Sequence, residues 1–398
     1  MKIERLSVRN WQLFRDINID FHDRITFLTG VNGTGKTSIC KVIAAFLGHD
    51  VKFIQSEDPV NLPESKIAEI TYGGSYFEIK KSFRYGESYS YSLNVSNHAN
   101  STFKGAYIKS NREAYTATSI SSVRAGPAIE SSMIKSLVNP SYKPLDGEKE
   151  IIENVPLRGM KDSILSWAVF GFGNQYVNPN ITYQVYLNEF IDILRLAIPE
   201  EIKFRTLEID KEDVKVVTDL GRFSIDSASS GLSTIFDLCW KCFVASKMCS
   251  EHTIVVIDEP ENHLHPSLQR KLIPSLMKAF QDHQFIVSTH SPLILSSVEL
   301  SYIYKFEFGE STISAKLLTA VDTATDYEGI LQNALGTSSS MPIWARERYE
   351  KIIRDFSFSE PSAENMKRVE TRLEQEGLGE YSLRAFTELM KLRHEKNK

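Results

Sequence analysis

The spacing of apolar and polar residues changes several times along the chain. Residues 2–8 and 16–21 alternate apolar with polar side chains, and residues 25–29 form a short apolar run, so three strands are expected before position 30. A Gly-rich turn follows, and apolar residues then recur at helical spacing through Ile39, Val42, Ile43 and Phe46. Residues 66–72 and 76–82 flank Gly73-Gly74 as a hairpin would. From Ser82 to about Gly147 the chain is rich in Ser, Tyr and Asn, which predicts strands and loops, with a mobile segment around residues 116–127. Helices are expected over 164–172 and 185–197, the second ending before Pro199. Residues 204–217 and 221–225 return to strand. A long helix over 233–248, a buried strand over 254–257, a helix over 266–280 and a second buried strand over 285–288 complete the pattern. Beyond about Asp322 the pattern is helical and charged. Strands and helices alternating around a Gly-rich turn predict an α/β fold with a mostly parallel core.

The turn itself carries the first chemistry. Gly30-Val31-Asn32-Gly33-Thr34-Gly35-Lys36-Thr37 fits G-x-x-x-x-G-K-[ST], placed after a strand and before a helix. Glycines let backbone N–H groups converge on phosphate oxygens, and the helix adds its positive N-terminal end. Gly30, Asn32, Gly33, Thr34 and Gly35 are therefore nucleotide-binding candidates. Lys36 is expected to reach the β- and γ-phosphates, Thr37 to place its hydroxyl on Mg²⁺, and Ser38 to bond the α-phosphate.

The apolar run before Asp258-Glu259-Pro260 ends in two adjacent carboxylates, which are costly inside a protein unless something cationic meets them. Asp258 is the candidate Mg²⁺ ligand and Glu259 the candidate general base for the attacking water. The second buried strand leads into Thr289-His290-Ser291-Pro292, where a neutral His290 can hydrogen-bond both phosphate and water. Ser229, Ser230 and Gly231 open the long helix, and a helix N-terminus of this kind is a ready anion site as well as an ordinary cap.

These four pieces in this order resemble the ABC-type ATPases of the SMC, RecF and OLD-like branch. The run Ile257-Asp258-Glu259-Pro260-Glu261-Asn262-His263-Leu264-His265-Pro266, with Phe285-Ile286-Val287-Ser288-Thr289-His290-Ser291-Pro292, is similar to the OLD-like (AAA_21-type) ATPase subunits of bacterial anti-phage systems such as Septu and Gabija. The resemblance implies an ABC-type head over residues 1–320, with a mixed β-sheet lobe and a helical signature lobe. The phosphate loop would lie in 25–48, an irregular β-rich and helical insertion over about 83–203, and the signature-to-His290 region over 204–300. Residues 321–398 would be a helical C-terminal extension and a candidate docking region. It further implies a shared nucleotide, with Ser229, Ser230 and Gly231 of one chain meeting the γ-phosphate held by Lys36 of another, and Glu261, Asn262 and His263 near that interface. ATP and Mg²⁺ are the implied cofactors, and a homodimer or higher oligomer the implied assembly. The chain departs from the usual signature at Ser230 and Leu232, and carries Gln12 where many relatives have Arg. Asn111-Arg112 is the candidate Q-loop.

Composition narrows the class. A net charge of -5 gives no overall nucleic-acid signal. No apolar run is long enough to cross a bilayer, the first residues lack the build of a signal peptide, and four cysteines in such a length point to a reducing compartment, so a cytoplasmic protein without a membrane partner is expected. Cys239 and Cys242 read as one buried helical face with Cys249, and Leu268, Leu272 and Leu276 as core. The stretch between loop and signature lacks the sustained heptads of a long-armed SMC protein. No Asp-x-Asp follows Ala320, so a nuclease centre of the TOPRIM kind is not expected in this chain. The first functional reading is therefore an ATP-driven switch or scaffold for a separate effector, quite naturally a nuclease, docked on helices over 343–356 and 363–396. The alternative is a RecF-like clamp with DNA as partner, contacted by Lys104, Lys109, Arg112 and Arg124.

Overall fold

The computed structural model describes residues 2–49, 51–54, 64–83, 90–96, 105–110, 155–211, 213–248, 252–310, 312–318, 343–356 and 362–396. The candidate Q-loop at Asn111-Arg112, the segment 116–127, Lys104, Arg124 and Cys249 lie outside the described residues.

The strands are β1 (Ile3–Trp11), β2 (Phe14–Asp20), β3 (Ile25–Gly30), β4 (Lys52–Ile54), β5 (Glu64–Tyr72), β6 (Ser75–Phe83), β7 (Ser90–Ser96), β8 (Gly105–Ile108), β9 (Phe204–Asp210), β10 (Asp213–Thr218), β11 (Gly221–Ser224), β12 (Ile254–Asp258), β13 (Gln284–Ser288), β14 (Tyr302–Phe308) and β15 (Ile313–Leu317). The helices of eight or more residues are α1 (Lys36–Phe46), α2 (Val155–Phe172), α3 (Ile181–Ala197), α4 (Ser230–Met248) and α5 (Pro266–Ala279), followed after the one-turn α6 (Pro292–Leu295) by α7 (Ile343–Phe356), α8 (Ala363–Gln375) and α9 (Ser382–Lys396).

Among the described residues, twelve strands form one mixed sheet in the order β4-β7-β6-β5-β1-β2-β15-β14-β3-β13-β12-β8. Its two halves follow from their sequences. β1 alternates, placing Ile3, Leu6, Val8 and Trp11 inward, and pairs antiparallel with β2 and β5. β3, β12 and β13 are apolar almost throughout and buried along their whole length, which suits parallel strands covered on both faces. β14, β3, β13, β12 and β8 run parallel, so their carboxyl ends line up on one edge. The helix α1 buries Ile39, Val42, Ile43 and Phe46 against this sheet.

Two local readings change. Residues 204–217 are not one strand but the hairpin β9–β10, because Lys211 adopts a left-handed φ of 57° and turns the chain between Asp210 and Asp213. Residues 302–317, which the hydrophobic pattern leaves unassigned, form β14 and β15, and β14 inserts beside β3.

The helical lobe is built from α2, α3 and α4. Trp167, Phe190, Trp240 and Phe243 form its aromatic centre, with Trp167–Trp240 centroids 5.7 Å apart and Phe190–Trp240 5.5 Å. Cys239 and Cys242 are buried on the inward face of α4, and burial pushes both thiols up. Buried Lys161 of α2 bridges Asp213 (2.9 Å) and Asp226 (2.7 Å), fixing the approach to the turn that opens α4.

By internal contacts the chain divides between Ile330 and Leu331. The second unit has its own core, in which Tyr349, Ile352 and Ile353 of α7 meet Val369 and Leu373 of α8 and Ala385 of α9. Among the described residues no helix is long and apolar enough to cross a membrane.

Two buried imidazoles make stability sensitive to acid. Burial lowers His49 and His283 from 6.5 to about 4. Between those values the unfolded chain binds protons that the folded chain refuses, so stability falls as pH falls from about 6.5 to about 4. The expected loss is about 3 kcal/mol for each group at the acid end. His283 lies between the rings of Phe280 and Phe285, so a His283→Phe protein should lose roughly half of that pH slope in urea unfolding. An unchanged slope would show that His283 does not carry it.

Candidate functional site

The site lies at the carboxyl ends of β3, β13 and β12. The chain leaves β3 at Gly30 with a φ of 137°, where a Cβ would stand 2.3 Å from the Phe306 carbonyl oxygen of β14. Gly35 caps α1 at a φ of 80°, where a Cβ would meet the Phe14 ring at 2.2 Å. Only glycine fits both positions, and the loop is thereby pressed between β14 and the β1–β2 hairpin. Asn32 and Gly33 stand exposed on its crest, and Thr34 is buried, its hydroxyl donating to the Val31 carbonyl at 2.8 Å.

Lys36 is buried. Its Nζ donates to the Gly30 and Val31 carbonyl oxygens, each at 3.0 Å, across the mouth of the loop. Burial lowers its pKa, partly offset by Glu259 and Asp258. Thr37 Oγ1 lies 3.3 Å from Asp258 Oδ1, so loop and acidic strand end meet. Ser38 sits half-buried in the first turn of α1. Asp258 closes β12, and Ser288 Oγ, at the end of β13, donates to the same Oδ1. Burial raises the Asp258 carboxyl, against the hydrogen bonds from Ser288 and Thr37. Among the described residues its Oδ2 is buried without a hydrogen-bond partner.

Glu259 has a left-handed φ of 49°, and its N–H donates to the Ser288 carbonyl at 3.0 Å. This breaks the strand and turns the carboxylate into the crevice, where Oε1 lies 3.6 Å from His290 Nε2. Asn262 Nδ2 donates to Oε2 at 3.2 Å and to the Ser110 carbonyl at 3.2 Å. Burial lowers the His290 pKa, as does the charge on Lys36, which favours the neutral ring.

The donor set fits a divalent cation at Asp258 and Thr37, since the Asp258 carboxylate keeps one buried oxygen without a partner among the described residues while its other oxygen meets the Thr37 hydroxyl. It equally fits a polyphosphate, through the loop's backbone and the Lys36 ammonium.

Comparison with known families matches residues 25–296 to the family described as "AAA domain, putative AbiEii toxin, Type IV TA system". The chain belongs to this AAA_21 family. It is thus an ABC-type P-loop ATPase by class, related to ATPases of defence systems. It is 32% identical over 113 residues to the Escherichia coli "Retron Ec83 probable ATPase", covering 28% of this chain and 20% of that protein. It is 26% identical over 387 residues to the "Septu protein PtuA" of Bacillus mycoides (strain KBAB4), covering 93% and 50%. The Bacillus thuringiensis "Septu protein PtuA" is 21% identical over 378 residues, covering 88% and 89%. The chain therefore spans between a fifth and a half of the length of the first two. Among solved structures, the "SMC head domain from Thermotoga maritima" superposes with a TM-score of 0.45 at 13% identity, covering 80% of this chain and 100% of that one.

In this AAA_21 chain the sequence-assigned residues fall into two groups. Lys36, Thr37, Asp258, Glu259 and His290 share one crevice. Ser229, Ser230 and Gly231 open α4, with Ser229 Oγ accepting from the Leu232 N–H at 3.4 Å, and both serines are exposed. Gly231 is buried, and a Cβ there would meet the His263 carbonyl oxygen and the Leu268 side chain of α5, each at 3.4 Å, and the Leu264 side chain at 3.8 Å. Leu268 is half-buried there, and Leu272 and Leu276 are core. Among the basic residues read as DNA contacts, Lys109 alone is described, at the end of β8.

Sequence reading misses Ser288 and the inward role of Glu261. Ser288 carries no motif of its own, and only the β12–β13 register sets it against Asp258. The resemblance implies a place for Glu261 near an interface; within the chain its Oε1 accepts from the Thr289 hydroxyl and the His290 N–H. Among the described residues no His, Cys, Asp and Glu cluster of the kind that holds a metal by itself is present.

Proposed function

We propose that the chain binds and hydrolyses ATP as a subunit that assembles through a shared nucleotide site and serves as a switch or scaffold for a separate effector in anti-phage defence. The observation that carries this reading is the convergence of Lys36, Thr37, Asp258, Glu259 and His290 at the ends of three adjacent strands. In it, the loop's N–H groups from Gly30 to Thr37 cradle the phosphates, and Lys36 swings from the Gly30 and Val31 carbonyls onto the β- and γ-phosphates. Asp258 and Thr37 would hold Mg²⁺, which would supply charge neutralisation at the phosphate oxygens. Glu259 takes the proton of the attacking water, and neutral His290 orients that water and the γ-phosphate.

The exposed Ser229 and Ser230 support completion of the site by a second copy, because hydroxyls at the positive N-terminal end of a helix suit the γ-phosphate of a partner. Retron and Septu relatives support the defence setting. The separately cored unit of α7, α8 and α9 is assigned to effector docking.

The test is native mass of a Glu259→Gln chain purified from its host, with and without ATP and Mg²⁺. ATP is expected to double the count of heads, and Ser230→Arg added to that chain should cancel the doubling while ATP stays bound. A second polypeptide should be retained by the full chain and lost from one ending at Ile330. A lone ATP-bound monomer would overturn the shared site, and a second polypeptide kept by the shortened chain would overturn the docking assignment.

A further inference from the structure

β13 ends at Ser288, and past the Thr289 N–H the backbone donors of this segment must be satisfied outside the sheet. The Thr289 N–H donates to the Leu28 carbonyl of β3 at 3.0 Å. The other donors are met by side chains. Glu261 Oε1 accepts the His290 N–H at 2.7 Å and the Thr289 hydroxyl at 2.8 Å. Thr289 Oγ1 in turn accepts the Ser291 N–H at 3.0 Å. Ser291 Oγ donates to Gln269 Oε1 at 2.6 Å, and Gln269 Nε2 donates to the Leu264 carbonyl at 3.0 Å. The His290 segment is thus held by the segment that follows Glu259. A single carboxylate oxygen carries two of these bonds.

The same turn also holds Glu259, through Asn262. Both members of the Glu259–His290 pair, 3.6 Å apart, are therefore set by residues 261 and 262. A carboxylate suits the place because it accepts two donors and has no N–H of its own to strand where its buried Oε2 lies without a hydrogen-bond partner among the described residues.

We infer that Glu261 is a positioning residue for hydrolysis: its carboxylate clamps the His290 backbone and so sets the His290 ring against Glu259. This rests on the proposed roles of His290 and Glu259 in hydrolysis. It assigns a purpose to the acidic residue after Pro260 that nucleotide contact does not supply.

The test is a kinetic double-mutant cycle on the full chain. Glu261→Asp, one methylene too short to reach both donors, is expected to lower kcat roughly 10- to 100-fold, since a displacement of about 1 Å at a reacting group costs that much. KM for ATP should stay within about twofold, because the Lys36 loop is untouched. Glu261→Gln keeps an acceptor oxygen at full reach, though it strands its N–H where Oε2 stood, and should leave kcat within about fivefold of wild type, a smaller loss than that of Glu261→Asp. Combined with His290→Ala, Glu261→Asp should lower kcat by less than about twofold more, because both act through one ring.

Melting temperature separates positioning from structure. A lowered melting temperature with wild-type kcat in the folded protein overturns the inference. So does a full, multiplicative loss of kcat in the His290→Ala background. If His290→Ala alone leaves kcat unchanged, the proposed role of His290 has failed and the clamp falls with it, whereas a large His290→Ala effect with an additive Glu261→Asp effect removes the clamp only.

Discussion

Exchange of Glu259 for Gln is expected to lower kcat for ATP hydrolysis by roughly 10²- to 10⁴-fold, the range that a positioned general base contributes. Gln keeps the shape and one acceptor oxygen, so the hydrogen bond from Asn262 survives while proton uptake is lost. ATP binding should persist or tighten. The Lys36 pKa is lowered by burial and raised by the neighbouring Glu259 charge, so neutralising Glu259 removes one competitor of the phosphates for the ammonium. The left-handed backbone at Glu259 is unaffected by the exchange, which keeps the turn and His290 in place. Single-turnover rates with labelled ATP and a separate binding titration divide the two effects. A wild-type rate in the single-turnover experiment would mean that another group takes the proton.

The second large effect is expected from Lys36→Met. The ammonium makes charge-assisted bonds worth about 2.7 kcal/mol together, so ATP affinity should fall roughly 100-fold. The unliganded protein should lose little. Lys36 is 5% exposed, and its charge is desolvated there at a cost that the two loop carbonyls only partly offset. Met fills a similar volume without that cost, and the Val31 carbonyl keeps the Thr34 hydroxyl as a partner. The expected outcome is an unliganded melting temperature near or above wild type, with the ATP-dependent rise in melting temperature gone. A collapse of unliganded stability would show that Lys36 holds the empty loop together. A persistent ATP-induced shift would show that the nucleotide binds elsewhere.

Both expectations stand on residues legible in the chain before any fold is known. The phosphate loop is legible because its signature is local: Gly30, Gly33 and Gly35 take positive φ within one short run of the chain. Buried strands β3, β12 and β13 are legible because a continuous apolar run is what a parallel strand covered on both faces requires. The acidic end of β12 stands out for the same reason, two carboxylates being anomalous at the end of such a run.

Other features escape pattern. The turn at Lys211 interrupts a stretch rich in strand-forming residues, and period alone does not mark the break. β14 and β15 continue beyond the last motif, so nothing in the chemistry draws attention to them, although β14 supplies the wall against which Gly30 is pressed.

The sequence by itself determined the class of chemistry, the loop, the acidic pair, His290 and the parallel core, because each depends on residues adjacent in the chain. The tertiary structure alone decided which of them meet. Thr37 reaches Asp258 across 221 positions, Ser288 reaches Asp258 across 30, and Glu261 reaches the His290 backbone across 29. Those encounters follow from strand order and register, set by the packing of the whole sheet, which hydrophobic periodicity constrains in face but not in neighbour.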